Sequence, residues 1–146
     1  MLSSEGKAKR VRIERGGYPI DGPVIWAAAN AFKNAGWEIG SDDAQAAICH
    51  GTGCLTTGDL PGVYLAPPIA DPEFYDRLRQ IKGPLLVVGS VLANSWVPAQ
   101  AARIRNAEIL QLFRVNEDFV VEGDLSATLD ALKRISARIE ALVVRL

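Results

Sequence analysis

Apolar and polar positions along the 146-residue chain fall into short runs of two periods. In "RVRIER" (10–15) Val11 and Ile13 alternate with charges, which predicts a short strand. From Pro23 to Asn34 the spacing changes: Ile25, Ala28, Ala29, Phe32 and Ala35 share one helical face. Pro23 suits the first turn, where its missing N–H costs nothing, and Gly36 ends the helix. "WEI" (37–39) then predicts a short strand, and "GVYLAPP" another, cut by Pro67 and Pro68. "ADPEFYDRLRQIKG" predicts a helix capped by Asp71, with Pro72 first, Glu73 near its positive end, and Phe74, Leu78 and Ile81 on one side. "PLLVVGS" is continuously apolar, as expected of a strand covered on both faces. "PAQAARIRNA" predicts a helix and "EILQLFRV" a strand, which "DFVV" extends or pairs with. From Asp124 onward runs the strongest helical stripe: Leu125, Leu129, Leu132, Ile135, Ile139, Leu142 and Leu146. "EGDLS" reads as its cap.

One stretch stays open. "DDAQAAICHG" suits a short helix capped by Ser41 or Asp42, or a buried strand "AAICH"; its abrupt end at Gly51 favours the strand.

Strand and helix alternate about five times. That order predicts an α/β, three-layer domain spanning 1–146: a mostly parallel five-stranded sheet with helices on both faces. Residues 1–8 are expected to be disordered and 124–146 to form a long terminal helix. Such sheets bind ligands beyond the carboxyl ends of their strands, at a topological switch point.

Composition narrows the classes. A net charge of −1 with 23% charged residues leaves no broad basic surface for nucleic acid. The locally basic Lys7–Arg15 segment reads as a solvated edge. "MLSSEGKAKR" lacks the apolar core of a signal peptide, and no apolar run is long enough to cross a bilayer. Two cysteines permit one intrachain disulfide at most, so the default expectation is a reduced, cytoplasmic protein. No membrane contact and no cofactor are expected.

Candidate chemistry concentrates in "ICHGTGCLTTGDLPG" (48–62). Cys49, His50 and Cys54 offer three soft metal ligands, but no other cysteine or histidine completes a set of four, so no metal is expected. Cys49 and Cys54 could form a redox pair, although their spacing is C-x-x-x-x-C rather than C-x-x-C. "GTG" after a strand could cradle an anion through backbone N–H groups, but the P-loop lysine is missing. The bland reading is a glycine-rich loop, with Cys49 in the core and His50 on the surface. Two further segments should emerge on the same rim. Asp21 is the only acid of "GYPIDGP", which otherwise reads as a turn. Ser90 ends the most apolar strand and Asn94 follows; either they face a ligand or they cap the next helix. The candidate ligand set is therefore Asp21, His50, Gly51, Thr52, Gly53, Ser90 and Asn94. Trp26, Trp37 and Trp96 lie on different elements and read as core or rim packing rather than a stacking platform.

The order of elements, with "GVYLAPP", "PEFYDRLRQIKGPLLVVGS" and "DLSATLDALKRI", resembles a response-regulator receiver domain over about residues 9–140. The resemblance implies a flavodoxin-like fold. It places Glu14 at one of the paired acids, Ser90 at the fourth-strand hydroxyl and Arg114 where the family has lysine. The phosphoacceptor position falls at Ala66 or Pro67, neither of which carries a carboxylate. A receiver so altered would be of pseudo-receiver type, nearest the antiterminator subgroup, with neither Mg²⁺ binding nor aspartyl phosphorylation. Read instead as Leu125, Leu129, Leu132, Ser136, Ile139, Val143 and Leu146, the terminal helix alternates spacings of four and three, a heptad-like pattern broken by Ser136. That suggests a homodimer through Leu132, Ile139, Leu142, Val143 and Leu146.

Three functions follow as expectations. The first is a non-catalytic signalling domain acting through protein contacts. The second is a small-molecule or anion-binding protein, a simple binder or an enzyme, with a pocket at the strand carboxyl ends. The third is a thiol switch at Cys49 and Cys54.

Overall fold

A computed structural model describes residues 9–16, 22–57, 59–67, 72–90, 104, 107–116 and 118–146. The strands are β1 (Arg10–Glu14), β2 (Glu38–Ile39), β3 (Ala46–His50), β4 (Gly62–Leu65), β5 (Leu85–Ser90) and β6 (Ala107–Leu112). The α-helices are α1 (Pro23–Asn34), α2 (Pro72–Gln80) and α3 (Leu125–Val143), and a 3-10 turn spans Gly51–Thr56. All six strands pair in parallel, in the order β2-β1-β3-β4-β5-β6.

The sheet has six strands rather than the five expected, and the open stretch "AAICH" takes the favoured strand form, at the centre of the sheet. All five of its residues are buried, which explains why no alternation marks it in the sequence. The expected strand "DFVV" is instead a turn: the Asn116 side chain accepts from the N–H groups of Asp118 and Val120, at 2.9 and 3.1 Å. The helix expected over "PAQAARIRNA" lies outside the described residues apart from Ile104 and Ala107, of which Ala107 already belongs to β6; residues 1–8 lie outside them too.

Successive side chains of each central strand point to opposite faces, and two cores result. On one face Val11, Ile48, Val63, Leu65, Leu86, Val88 and Leu110 pack against α1 and α3. On the other Cys49, Tyr64, Leu85 and Val87 pack against Phe74, Tyr75 and Leu78 of α2. Asp124 caps α3 as expected, its Oδ1 accepting from Ala127 N at 2.9 Å.

The terminal stripe is only partly the expected one. Thr128, Ala131, Ile135, Ile139, Leu142 and Val143 are the buried residues of α3, whereas Leu125 and Leu129 are exposed. Of the expected interface set, Ile139, Leu142 and Val143 are fully used by the chain's own core, and Leu132 and Leu146 pack partly against it. The covered face of α3 is thus the amphipathic stripe from Thr128 to Val143, which only partly coincides with the heptad-like one. Among the described residues no helix is long and apolar enough to cross a membrane.

Candidate functional site

Strand order fixes where a ligand would lie. β1 leads outward to β2, while β3 and all later strands lie on its other side, so the chain reverses direction across the sheet between β1 and β3. The crevice beyond the carboxyl ends of such a strand pair is the usual ligand position in open parallel sheets. Here those ends are Glu14–Gly16 and His50–Gly51, because Glu14 pairs with Cys49 in register. Leu65, Ser90 and Leu112 end the remaining long strands on the same edge.

The chain leaves β3 through a sharp turn. Gly51 adopts φ +58°, a left-handed conformation that glycine takes without a Cβ penalty, and the 3-10 turn begins there. Gly53 packs directly on β1: a Cβ at that position would land on the Glu14 carbonyl and 2.7 Å from Gly16 N. Gly16 (φ +65°) is equally close from the other side, since a Cβ there would lie 2.6 Å from both Gly53 N and Thr52 Oγ1. Two glycines therefore let the β1 and β3 exits touch backbone to backbone.

The short turn is held from behind. Cys49 and Cys54 are joined in a disulfide with a Cα separation of 4.8 Å, within the ordinary range for a bridge. The bridge departs from the default expectation of reduced cysteines and joins the two residues of the candidate redox pair: the 3-10 turn folds back so that Cys54 returns to the strand face carrying Cys49. Arg12 Nη2 donates to the Thr57 carbonyl. Arg77 Nη1 of α2 donates to the Leu55 carbonyl at 3.1 Å. These guanidinium groups satisfy carbonyls that a six-residue turn leaves without intrahelical donors. Thr57 Oγ1 donates to the Cys54 carbonyl at 2.8 Å, and Glu14 approaches Arg12 Nε at 3.0 Å.

The expected site residues divide accordingly. Gly51, Thr52 and Gly53 form the turn at the switch point, with Thr52 exposed. His50 is not the surface residue expected of it: it is 2% exposed and its ring lies 6.1 Å from that of Phe119. A central strand covered on both faces leaves no solvent side for it. Ser90 does end β5 on the common edge, but it is 1% exposed and its Oγ donates to the Val115 carbonyl, tying β5 to the segment after β6. Asp21 and Asn94 lie outside the described residues. Trp37 is core, edge-on to Phe32 at 5.1 Å, while Trp26 is 54% exposed. Sequence reasoning missed Gly16 as a site residue; its signal was the "GG" immediately after a strand.

Among buried titratable groups Tyr64 is perturbed. Burial pushes its phenol above the ordinary range, against smaller lowering effects of Thr57 and Arg77. Its Oη donates to the Leu60 carbonyl at 2.7 Å.

No protein-family model matches the sequence, and no curated protein matches it. Solved structures do match the fold. Est1E from Butyrivibrio proteoclasticus aligns with a TM-score of 0.65 at 10% identity, over 94% of this chain and 89% of that one. The esterase domain of a Rhodothermus marinus protein aligns at 0.61 and 9% identity, over 97% and 91%. A predicted CIB-like hydrolase from Thermoplasma acidophilum aligns at 0.61 and 11% identity, over 92% and 87%. These similarities are of fold, and they overturn the receiver resemblance and the signalling function drawn from it. A receiver layout places "GVYLAPP" at the third strand, whereas the third strand is Ala46–His50 and Gly62–Leu65 is the fourth.

Proposed function

We propose that the chain is an α/β-hydrolase-like protein that binds a small carbonyl compound, an ester or lactone, at the carboxyl ends of β1 and β3. In the α/β-hydrolase fold the nucleophile sits on a strained strand-to-helix turn within G-x-S-x-G, and the oxyanion is held by backbone N–H groups of that turn and of a neighbouring strand exit. The corresponding stretch here is Cys49-His50-Gly51-Thr52-Gly53, with Gly51 at the apex and the β1 exit at Gly16 alongside. The observation that carries the reading is the left-handed Gly51 at the apex of the turn, at the switch point of the sheet.

The same observation limits the chemistry. Gly51 offers neither hydroxyl nor thiol, so no acyl-enzyme forms at that position. Hydrolysis here would require water to attack the bound carbonyl directly.

The test uses thermal unfolding with a series of short-chain esters and lactones, together with a fluorophosphonate probe. The reading expects stabilisation by at least one ester or lactone and no covalent adduct at residues 49–53. It is overturned if no member of the series stabilises the chain, or if the probe labels that turn.

A further inference from the structure

The bridge from β3 to the 3-10 turn encloses the candidate site itself. Between Cys49 and Cys54 lie His50, Gly51, Thr52 and Gly53, and the last three form the turn at the switch point. Gly51 and Gly53 have no side chain to anchor them, and glycine loses the most backbone freedom on ordering. The guanidinium ties of the turn lie beyond the enclosed residues: Arg77 Nη1 holds the Leu55 carbonyl and Arg12 Nη2 the Thr57 carbonyl. Within the loop, the Gly53 carbonyl accepts from Thr56 Oγ1 at 3.0 Å. The bridge is the covalent tie that pins this loop where Gly53 meets Gly16 and Glu14.

The dithiol state has a place in the fold as well. Cys49 and Cys54 are fully buried in the cluster that holds Tyr64, Phe74, Tyr75 and Leu78, where a thiol packs as a small apolar group. Cys54 Sγ lies 3.8 Å from the Leu65 carbonyl oxygen, an acceptor for its S–H once the bridge opens. We propose that the Cys49–Cys54 bridge is a redox gate on the switch-point site: oxidised, it holds the backbone N–H groups of Gly51–Gly53 in place for a ligand; reduced, it lets that segment loosen while the rest of the fold stays. The ligand half of this gate rests on the ester- or lactone-binding reading above. The reductant is a dithiol. One of its thiolates attacks a bridge sulfur and breaks the S–S bond, giving a mixed disulfide and one free cysteine; its second thiol then displaces the other cysteine. Two electrons and two protons pass to the chain, which ends with two thiols, and the reductant ends as a cyclic disulfide.

The experiment prepares the full chain oxidised with diamide and reduced with dithiothreitol, and intact mass verifies each state. Amide hydrogen exchange is read at Gly53 and Cys54, both buried in the turn, against Ile135 and Ile139 of α3. On reduction the turn amides should exchange faster relative to α3 by about tenfold or more, with amide shifts of α1 and α3 in place. The short-chain ester and lactone series, δ-valerolactone and ethyl butyrate included, is titrated against both states. A member that stabilises the oxidised chain should bind the reduced chain about tenfold more weakly. By reciprocity, saturation with it should raise by the same factor the ratio of reduced to oxidised dithiothreitol at half reduction. Cys49→Ala/Cys54→Ala should match the reduced chain and ignore dithiothreitol; the reduced natural chain carries the test if that variant does not fold. The proposal is overturned if diamide forms no bridge, if turn exchange keeps pace with α3 on reduction, or if the two states bind equally. If no member of the series binds the oxidised chain, the ester- or lactone-binding reading fails, and the exchange ratio alone decides the gate.

Discussion

Gly53 and Glu14 meet with no room for a side chain between them: a Cβ on Gly53 would fall on the Glu14 carbonyl group. This contact joins the exits of β1 and β3, and the candidate site depends on it. Gly53→Ala is expected to destabilise the chain by about 1–3 kcal/mol, the usual range for overpacking, because backbone must move on one side. Urea unfolding measures the loss. An unchanged midpoint would show that the two exits are not in contact.

The Cys49–Cys54 bridge closes a loop of sequence separation 5. For so short a loop the chain-entropy model gives about 2 kcal/mol. Unfolding under reducing conditions should therefore show a loss of about that size. Intact mass before and after reduction should differ by two hydrogens. Equal masses would mean that the thiols are not paired.

Ser90 is buried and its hydroxyl donates to the Val115 carbonyl, which ties β5 to the segment after β6. Ser90→Ala leaves that carbonyl without this donor and should cost about 1–3 kcal/mol. Ligand affinity per folded molecule should not change. A loss of affinity without loss of stability would return Ser90 to the site.

Tyr64 gives a signed pH dependence. Burial raises its folded pKa above the ordinary value of 10.0, so above that pH the unfolded chain releases the phenol proton first. The unfolded state then binds fewer protons, and stability falls as pH rises from about 10 toward the folded pKa. Tyr64→Phe should be less stable at neutral pH, through loss of the bond to Leu60, yet show a shallower alkaline decline. Parallel alkaline slopes in the two proteins would contradict this assignment.

Much of the fold was legible because local signals and tertiary burial agreed. Pro23, Gly36 and Asp124 punctuate their helices where the chain punctuates them. The rim holding Gly16, Gly51 and Ser90 follows from parallel pairing alone. What failed was the part that depends on which strands are neighbours. "AAICH" has no periodicity because both its faces are covered, so it dropped out of the receiver alignment and took the family with it. His50 looked like a surface residue for the same reason. Leu125 and Leu129 carry the helical spacing but lie off the covered face, which begins at the buried Thr128 and continues through Ala131 and Ile135, and spacing alone cannot show which of two overlapping stripes is covered. Gly51 was read as part of a loop; its meaning required the turn conformation and the neighbouring strand together.

The most direct test of the central claim is an amide NMR titration of the chain with an ester or lactone that stabilises it. The account predicts saturable shifts centred on the amides of Gly16, Gly51, Thr52 and Gly53, with those of α2 and the amino ends of the strands unmoved. Shifts centred elsewhere, with these four amides unchanged at saturation, would contradict it.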